Sequence, residues 1–328
     1  MTASLGGPDI PSPTDGRIAV VGSGFIGQSW AIVFARAGFD VTMYDARQEQ
    51  LDVAMSYIAD SVGDLSASGL LNGSDPSDVR ARIGRAGSLA EALDGAIYVQ
   101  ENTPEVLDIK RAVFADLDAA AAPGTVLASS TSSIVPSAFS DGLSGAGRCV
   151  VAHPINPPHL VPAVEIVPSD RTTEDTVART AALMQAVGQS VVTMKKEVAG
   201  FIVNRLQGAL LHEAFRLYAE GYADTEAIDT CVRDGLGLRW SFMGPFETID
   251  LNAIGGIRDY IERYSGFYRE LWSGPGGTDM PDWTSVRHEA ETERAARLPR
   301  SDLALRQAWR DSELIALLAD RRRRASVT

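Results

Sequence analysis

The stretch Arg17-Ile18-Ala19-Val20-Val21-Gly22-Ser23-Gly24-Phe25-Ile26-Gly27 decides how this chain folds. Its four apolar residues read as a buried strand, and Gly22 lets the backbone turn sharply out of it. Gly24 removes the side chain that would block a pyrophosphate, and Gly27 lets the next helix lie close on the sheet. That helix, Phe25 to Ala37, opens with Phe25 and Ile26, and its free N–H groups and positive dipole end face the phosphates. A second strand, Val41 to Tyr44, ends at Asp45, roughly 20 residues on, where a ribose-binding carboxylate is expected. Strand, glycine turn, helix, strand and acid together predict a dinucleotide site. Asp45 favours NAD, because a carboxylate accepts the ribose hydroxyls and repels a 2′-phosphate. Arg47 is the residue that could pair with such a phosphate.

The same alternation continues. Strands are expected at Ile97–Gln100, Val126–Ala128, Cys149–Ala152, Val164–Val167 and Val191–Thr193. Helices are expected at Gln48–Leu65, Pro104–Ala121 and Thr172–Val187. Repeated alternation gives an α/β fold: a doubly wound, mostly parallel sheet of the Rossmann type, covered on both faces. Near Glu197 the pattern becomes helical, with helices over Phe201–Ala219, Asp224–Asp234, Pro245–Tyr260 and beyond Ser285. The expected organisation is therefore a disordered lead over 1–16, a dinucleotide-binding domain over 17–197 and an all-α domain over 198–328.

Composition narrows the function. The chain has 328 residues, 45% of them hydrophobic and 22% charged, which suits a soluble protein with a substantial core. A net charge of −13 argues against nucleic acid as a partner. The run Arg321–Arg324 reads as a solvated helix end. Cys149 and Cys231 are too few for a disulfide framework and read as buried reduced thiols. The Pro-, Gly-, Ser- and Thr-rich first sixteen residues read as a disordered lead rather than a signal peptide. No run reaches the roughly 18 apolar residues of a membrane span, so the expected location is cytoplasmic.

His153 follows a buried strand directly, at the sheet edge where doubly wound folds bind ligands. Glu165 lies in the strand pattern Ala163–Val167, and a carboxylate buried there needs a partner. Hydrogen-bonded to one ring nitrogen, it would fix the tautomer of His153 and raise the basicity of the other nitrogen. From spacing alone, the alternative is that Glu165 faces solvent on an edge strand and His153 caps one. His159 is expected at an exposed or pocket-lining loop position, and His212 in a structural role on a helix. None of the four histidines pairs at metal-ligand spacing, so no metal is expected. Ser129-Ser130-Thr131-Ser132-Ser133 falls at the same sheet edge, as either a turn or a substrate-facing cluster. Asn204, at the start of the second domain's first helix, is either exposed or specifically bonded.

Together these segments resemble the 3-hydroxyacyl-CoA dehydrogenase family, from about Arg17 to about Ser265. The resemblance rests on the glycine turn, Ser130–Ser133, His153-x-x-Asn156-Pro157 with Glu165, Gly200-Phe201-Ile202-Val203-Asn204-Arg205, and Met243-Gly244-Pro245-Phe246-Glu247. Ala152–Pro158 and Gly235–Pro245 are more similar to its lambda-crystallin branch, which includes L-gulonate 3-dehydrogenase; L-carnitine dehydrogenase shares the Arg-aromatic insertion before Met243. The resemblance implies His153 as acid/base, Glu165 as its orienting partner, and Ser132 and Asn204 on the substrate oxygen. It places Glu105 and Lys110 near NAD, and implies a homodimer through the helical domain, whose apolar positions include Phe201, Ile202, Leu206, Leu210 and Leu211. Ser130 departs from the Asn usual in the acyl-CoA enzymes. Crystallins of this branch also serve as bulk lens proteins, a role that would not require His153, Glu165, Ser132 and Asn204 together.

Charge bears on the substrate. No Lys or Arg occurs between Arg47 and Arg80, whereas Asp52, Asp60, Asp64, Asp75 and Asp78 do. The acyl-CoA enzymes carry lysines there to hold CoA, so the expected substrate is a small free 3-hydroxy acid rather than a CoA thioester. Arg239 is the candidate for its carboxylate, with a structural ion pair as the alternative. Trp240 beside it is either core or a face for a trimethylammonium group. We expect kcat/KM to be higher with NAD than with NADP; comparing the two in one assay checks this.

Overall fold

The computed structural model describes residues 11–272 and 283–325. Residues 1–10 of the expected lead and the side chain of Arg324 lie outside the described residues. The chain divides into two compact units after Leu210.

In the first unit, eight strands form one sheet. They are β1 (Arg17–Val21), β2 (Val41–Tyr44), β3 (Ile83–Arg85), β4 (Ala96–Glu101), β5 (Val126–Ser129), β6 (Cys149–Pro154), β7 (Ala163–Val167) and β8 (Ser190–Thr193). Their spatial order is 3-2-1-4-5-6-7-8, and every pairing is parallel except the antiparallel β6–β7. The strand order reverses between β1 and β4, which opens a crevice at their C-terminal ends. Only β3 escapes the sequence pattern: Ile83-Gly84-Arg85 is too short and polar to signal a strand, and it is held by pairing with β2.

Seven helices connect these strands: α1 (Phe25–Arg36), α2 (Glu49–Ala67), α3 (Pro76–Ala81), α4 (Leu89–Leu93), α5 (Leu107–Ala120), α6 (Pro136–Ser140) and α7 (Glu174–Ala186). Alternate side chains of β1 enter opposite core layers, as a period of two requires. Ile18 and Val20 join Trp30, Phe34 and Ile58 on one face; Ala19 and Val21 join Phe114, Leu117 and Phe139 on the other.

An eighth helix, α8 (Val203–Ala219), follows β8. It starts two residues later than the sequence pattern suggests, because Gly200 (φ +76°) and Phe201 (φ +52°) are both left-handed. For a non-glycine residue that conformation costs about 1–3 kcal/mol and persists only where the surroundings enforce it. Phe201 is fully buried in the core of this unit rather than lying on an exposed apolar face.

The second unit is helical, and its described residues contain no strand. After the end of α8 come α9 (Thr225–Thr230), α10 (Gly237–Trp240), α11 (Pro245–Leu251), α12 (Gly256–Trp272), α13 (Arg287–Arg297) and α14 (Leu303–Ala325). A π-helical turn over Cys231–Leu236 interrupts what the sequence suggests as one helix to Asp234. Likewise Pro245–Tyr260 is two helices, because Gly256 turns at φ +75° and Asp250 accepts the Ile257 N–H at 2.8 Å. Cys231 is exposed on its π-helical turn, contrary to expectation, whereas Cys149 is buried in β6 and burial pushes its thiol up to about 12.

A Cβ on Gly27 would run into the carbonyl oxygen of Gly22, so close passage of α1 over the turn needs glycine there. We expect Gly27→Ala to lower unfolding stability by about 1–3 kcal/mol, the usual cost of overpacking; denaturant titration measures it.

Candidate active site

The antiparallel register of β6 and β7 sets His153 directly opposite Glu165. Directly opposed residues have Cβ atoms about 5 Å apart, close enough for their side chains to meet. Nδ1 of His153 lies 2.8 Å from Oε2 of Glu165. Glu165 is completely buried in a strand flanked on both sides, so the edge-strand alternative does not apply. Its other oxygen, Oε1, accepts the N–H groups of Ile202 and Val203 at 2.8 and 3.0 Å, where α8 begins. Burial pushes the Glu165 carboxyl up, but the bonds from His153, Val203 and Ile202 outweigh it and hold the group below its ordinary value. An ionised acceptor on Nδ1 places the ring proton there and leaves the Nε2 lone pair free.

His153 lines a cavity of about 490 Å³ with Ile26, Asn102, Thr103, Glu105, Lys110, Ser130, Ser132, Asn156, Asn204 and Gln207. Asn204 donates from Nδ2 to the Ser132 carbonyl at 2.7 Å. Glu105 gathers the serine loop, accepting Thr131 Oγ1 at 2.6 Å and the Ser132 and Ser133 N–H groups at 3.0 Å. Burial raises this carboxyl, yet Thr131, Ser133 and the Lys110 charge hold it below its usual range. Lys110 is buried, 3.1 Å from both oxygens of Glu101, and 3.7 Å from Glu105. Glu101, absent from the residues expected by sequence, is fully buried and also accepts from Ser129 and from the Thr103 N–H and hydroxyl. At a strand end between Gln100 and Asn102 it reads as one of several solvent-facing polar residues. Ser130 is a hub: its Oγ accepts from Trp30 and Gln100 and donates to Asn102.

A second cavity, of about 700 Å³, is lined by Gly22, Gly24, Asp45, Arg47 and Leu89. Asn102 and Thr103 line both, so the two meet at the end of β4. These residues fit a dinucleotide. No side chain caps α1, leaving the Phe25, Ile26 and Gly27 N–H groups without intrahelical partners. A Cβ on Gly24 would meet no protein atom within 4 Å, so the backbone there is open to a ligand. A Cβ on Gly22 (φ +93°) would lie 2.7 Å from the Asn102 carbonyl oxygen. Asp45 Oδ2 accepts the Ser23 N–H and hydroxyl, both at 2.9 Å, and Oδ1 accepts the Arg47 N–H at 3.0 Å. The acid therefore also braces the glycine turn. The ring of Phe25 is half exposed and packs on Tyr57 rather than lining either cavity.

Other expected residues lie elsewhere. His159 is buried against Tyr57 and not exposed, because its loop folds back onto α1, where Arg36 donates to the His159 carbonyl. Burial first, then Arg36, pushes this imidazole down. His212 is exposed on α8. Arg239 lies in the second unit, half-buried on α10, and has no ion-pair partner among the described residues; Trp240 is exposed.

Family models for 3-hydroxyacyl-CoA dehydrogenase match the NAD binding domain over residues 17–198 and the C-terminal domain over residues 200–275. The chain belongs to the 3-hydroxyacyl-CoA dehydrogenase family. It is accordingly an NAD-dependent oxidoreductase. Among relatives of this dehydrogenase, the lambda-crystallin homolog of Mus musculus is 42% identical over 310 residues, covering 93% of this chain and 96% of the relative. The L-carnitine dehydrogenase of Streptomyces griseus is 39% identical over 274 residues, covering 83% and 81%. Of solved structures, FHMPC 5-dehydrogenase, an NAD+ dependent dismutase, matches with a TM-score of 0.71 and 29% identity, over 89% of this chain and 97% of that one. The 3-hydroxybutyryl-CoA dehydrogenase of Escherichia coli K12 gives 0.65 and 29%, over 84% and 56%.

The depressed Glu165 carboxyl ties stability to pH. Its stabilisation is complete above the ordinary value of 4.5 and is lost as pH falls through the lower folded value. We expect the denaturant stability of the wild type to drop below that pH more steeply than that of Glu165→Gln. Unfolding curves across the acid range measure both slopes.

Proposed function

We propose that this dehydrogenase oxidises the 3-hydroxyl of a small 3-hydroxy acid of the L-gulonate type, with His153 as the acid/base. The observation that carries the reading is His153, backed by a buried ionised Glu165, facing a cavity continuous with the dinucleotide cleft. NAD, when bound along that cleft, supplies the hydride acceptor. His153 takes the hydroxyl proton on Nε2 and returns it in the reverse direction. Glu165 holds the tautomer and stabilises the imidazolium, while Ser132 and Asn204 position the substrate oxygen. Glu105 and Lys110, which line the same cavity as His153, would lie near the bound NAD.

A free acid is favoured over a CoA thioester because Asp60 and Asp64 stand exposed along α2, where they would repel CoA phosphates, whereas Asp52 is paired with Arg85. The cation lining the first cavity, Lys110, is already neutralised by Glu101. Arg239, with no ion pair among the described residues, is our choice for the substrate carboxylate. We also propose a homodimer through the helical domain. In its support, Leu206 and Phe215 of α8 are 60% and 70% exposed, an apolar face that a monomer would leave in water.

His153→Ala should lower turnover by about 10²–10⁴ while leaving NAD binding intact. L-gulonate, 3-hydroxybutyrate, L-carnitine and 3-hydroxybutyryl-CoA, assayed side by side for NAD reduction, test the substrate class. Highest kcat/KM on the thioester would overturn the free-acid reading, highest on L-carnitine would replace the sugar acid, and inactivity with all four would favour a structural role.

A further inference from the structure

Two observations at the start of α8 are unexplained by helix formation alone. Phe201 occupies a left-handed conformation that glycine would adopt without strain, directly after a glycine that does so. Its ring is fully buried and lies 5.4 Å from the His153 ring, tilted by 54°. The chain keeps a large aromatic where the backbone favours glycine. What the turn achieves is specific. It swings the open end of α8 onto Glu165, so that the N–H groups of Ile202 and Val203 both reach Oε1.

We infer that Phe201, with the Ile202 and Val203 N–H groups, positions the His153–Glu165 pair: the ring sets the imidazole plane, and the helix end sets how strongly the carboxylate draws the imidazole proton. The inference rests on His153 being the acid/base. Both oxygens of Glu165 are then engaged, one on the imidazole and the other on the helix. The next residue, Asn204, donates to the Ser132 carbonyl, so one helix end fixes the base's partner and one wall of the cavity.

Few other charges bear on the pair. Opposite Glu165 on the other side, β8 presents Val192. Glu105 and Lys110 line the shared cavity, with Glu101 behind Lys110, and Arg205 on α8 is exposed. Deleting a helix N–H therefore leaves the remaining charges in place. With less of its charge shared, the carboxylate attracts the imidazolium more strongly, and the pair keeps its proton to higher pH.

Val203 is the first helical residue of α8, a position where proline is tolerated but offers no N–H. Titrations of the full-length protein by histidine-15N NMR, assigned with His153→Ala, would compare Val203→Pro with Val203→Ala. We expect Val203→Pro to raise the His153 midpoint by roughly half a pH unit or more, as one hydrogen bond to a charged group would do. The acid limb of kcat/KM should rise with it, and Val203→Ala, which keeps the N–H, should leave the midpoint in place. Phe201→Gly keeps the left-handed turn without the ring and should loosen the imidazole plane, broadening the His153 ring signals; Phe201→Leu should partly sharpen them. Equal midpoints in Val203→Pro and Val203→Ala, with the fold intact, would overturn the inference. Should Val203→Pro not fold, the wild type decides: the Ile202 and Val203 amide signals must titrate with the His153 midpoint, and signals that ignore it overturn the inference. Undiminished turnover of His153→Ala would instead remove the acid/base reading while leaving this coupling measurable.

Discussion

A carboxylate with no access to water must be neutralised by its neighbours, and around Glu165 three donors meet that requirement. The imidazole comes from β6 and two backbone N–H groups come from the start of α8. Burying such a charge without partners would cost far more than a domain's net stability, so these elements are constrained together. The antiparallel β6–β7 pairing belongs to the same constraint. In an otherwise parallel sheet it is the one place where His153 and Glu165 stand directly opposed.

The second buried charge follows the same logic with different parts. Glu101 ends β4 beneath the point where the two cavities meet, and Lys110 reaches back from α5 to pair with it. Glu105 then binds the serine loop through two backbone N–H groups and three hydroxyls. Loops at the end of a parallel sheet carry many unpaired backbone groups. Here carboxylates take up those groups and hold the cavity wall in one conformation.

Much of this was legible in the chain itself. Apolar runs marked seven of the eight strands, since most of them are buried on both faces and must be largely apolar. The glycine turn and Asp45 announced the dinucleotide site through steric necessity: a Cβ at Gly22 or Gly27 would strike backbone. His153 stood out as an imidazole directly after a buried strand. Less was readable where local pattern and tertiary demand diverge. Glu101 and Ser129 look like ordinary strand ends. His159 looks like an exposed loop residue until the loop is seen to fold back onto α1. The break at Phe201 depends on a distant acceptor, Glu165, that no local window contains, whereas the acceptor at the Gly256 break, Asp250, is close in the chain.

The sequence by itself determined the layered architecture and the residue types at the sheet edge, because periodicity and glycine sterics act over a few residues. Only the tertiary structure decided which charges are paired. Whether an acid is buried, and by whom it is neutralised, depends on strand register and on where a helix 37 residues away begins. That is why the partner of His153 was an expectation in the chain and became a 2.8 Å contact only when β6 and β7 came together.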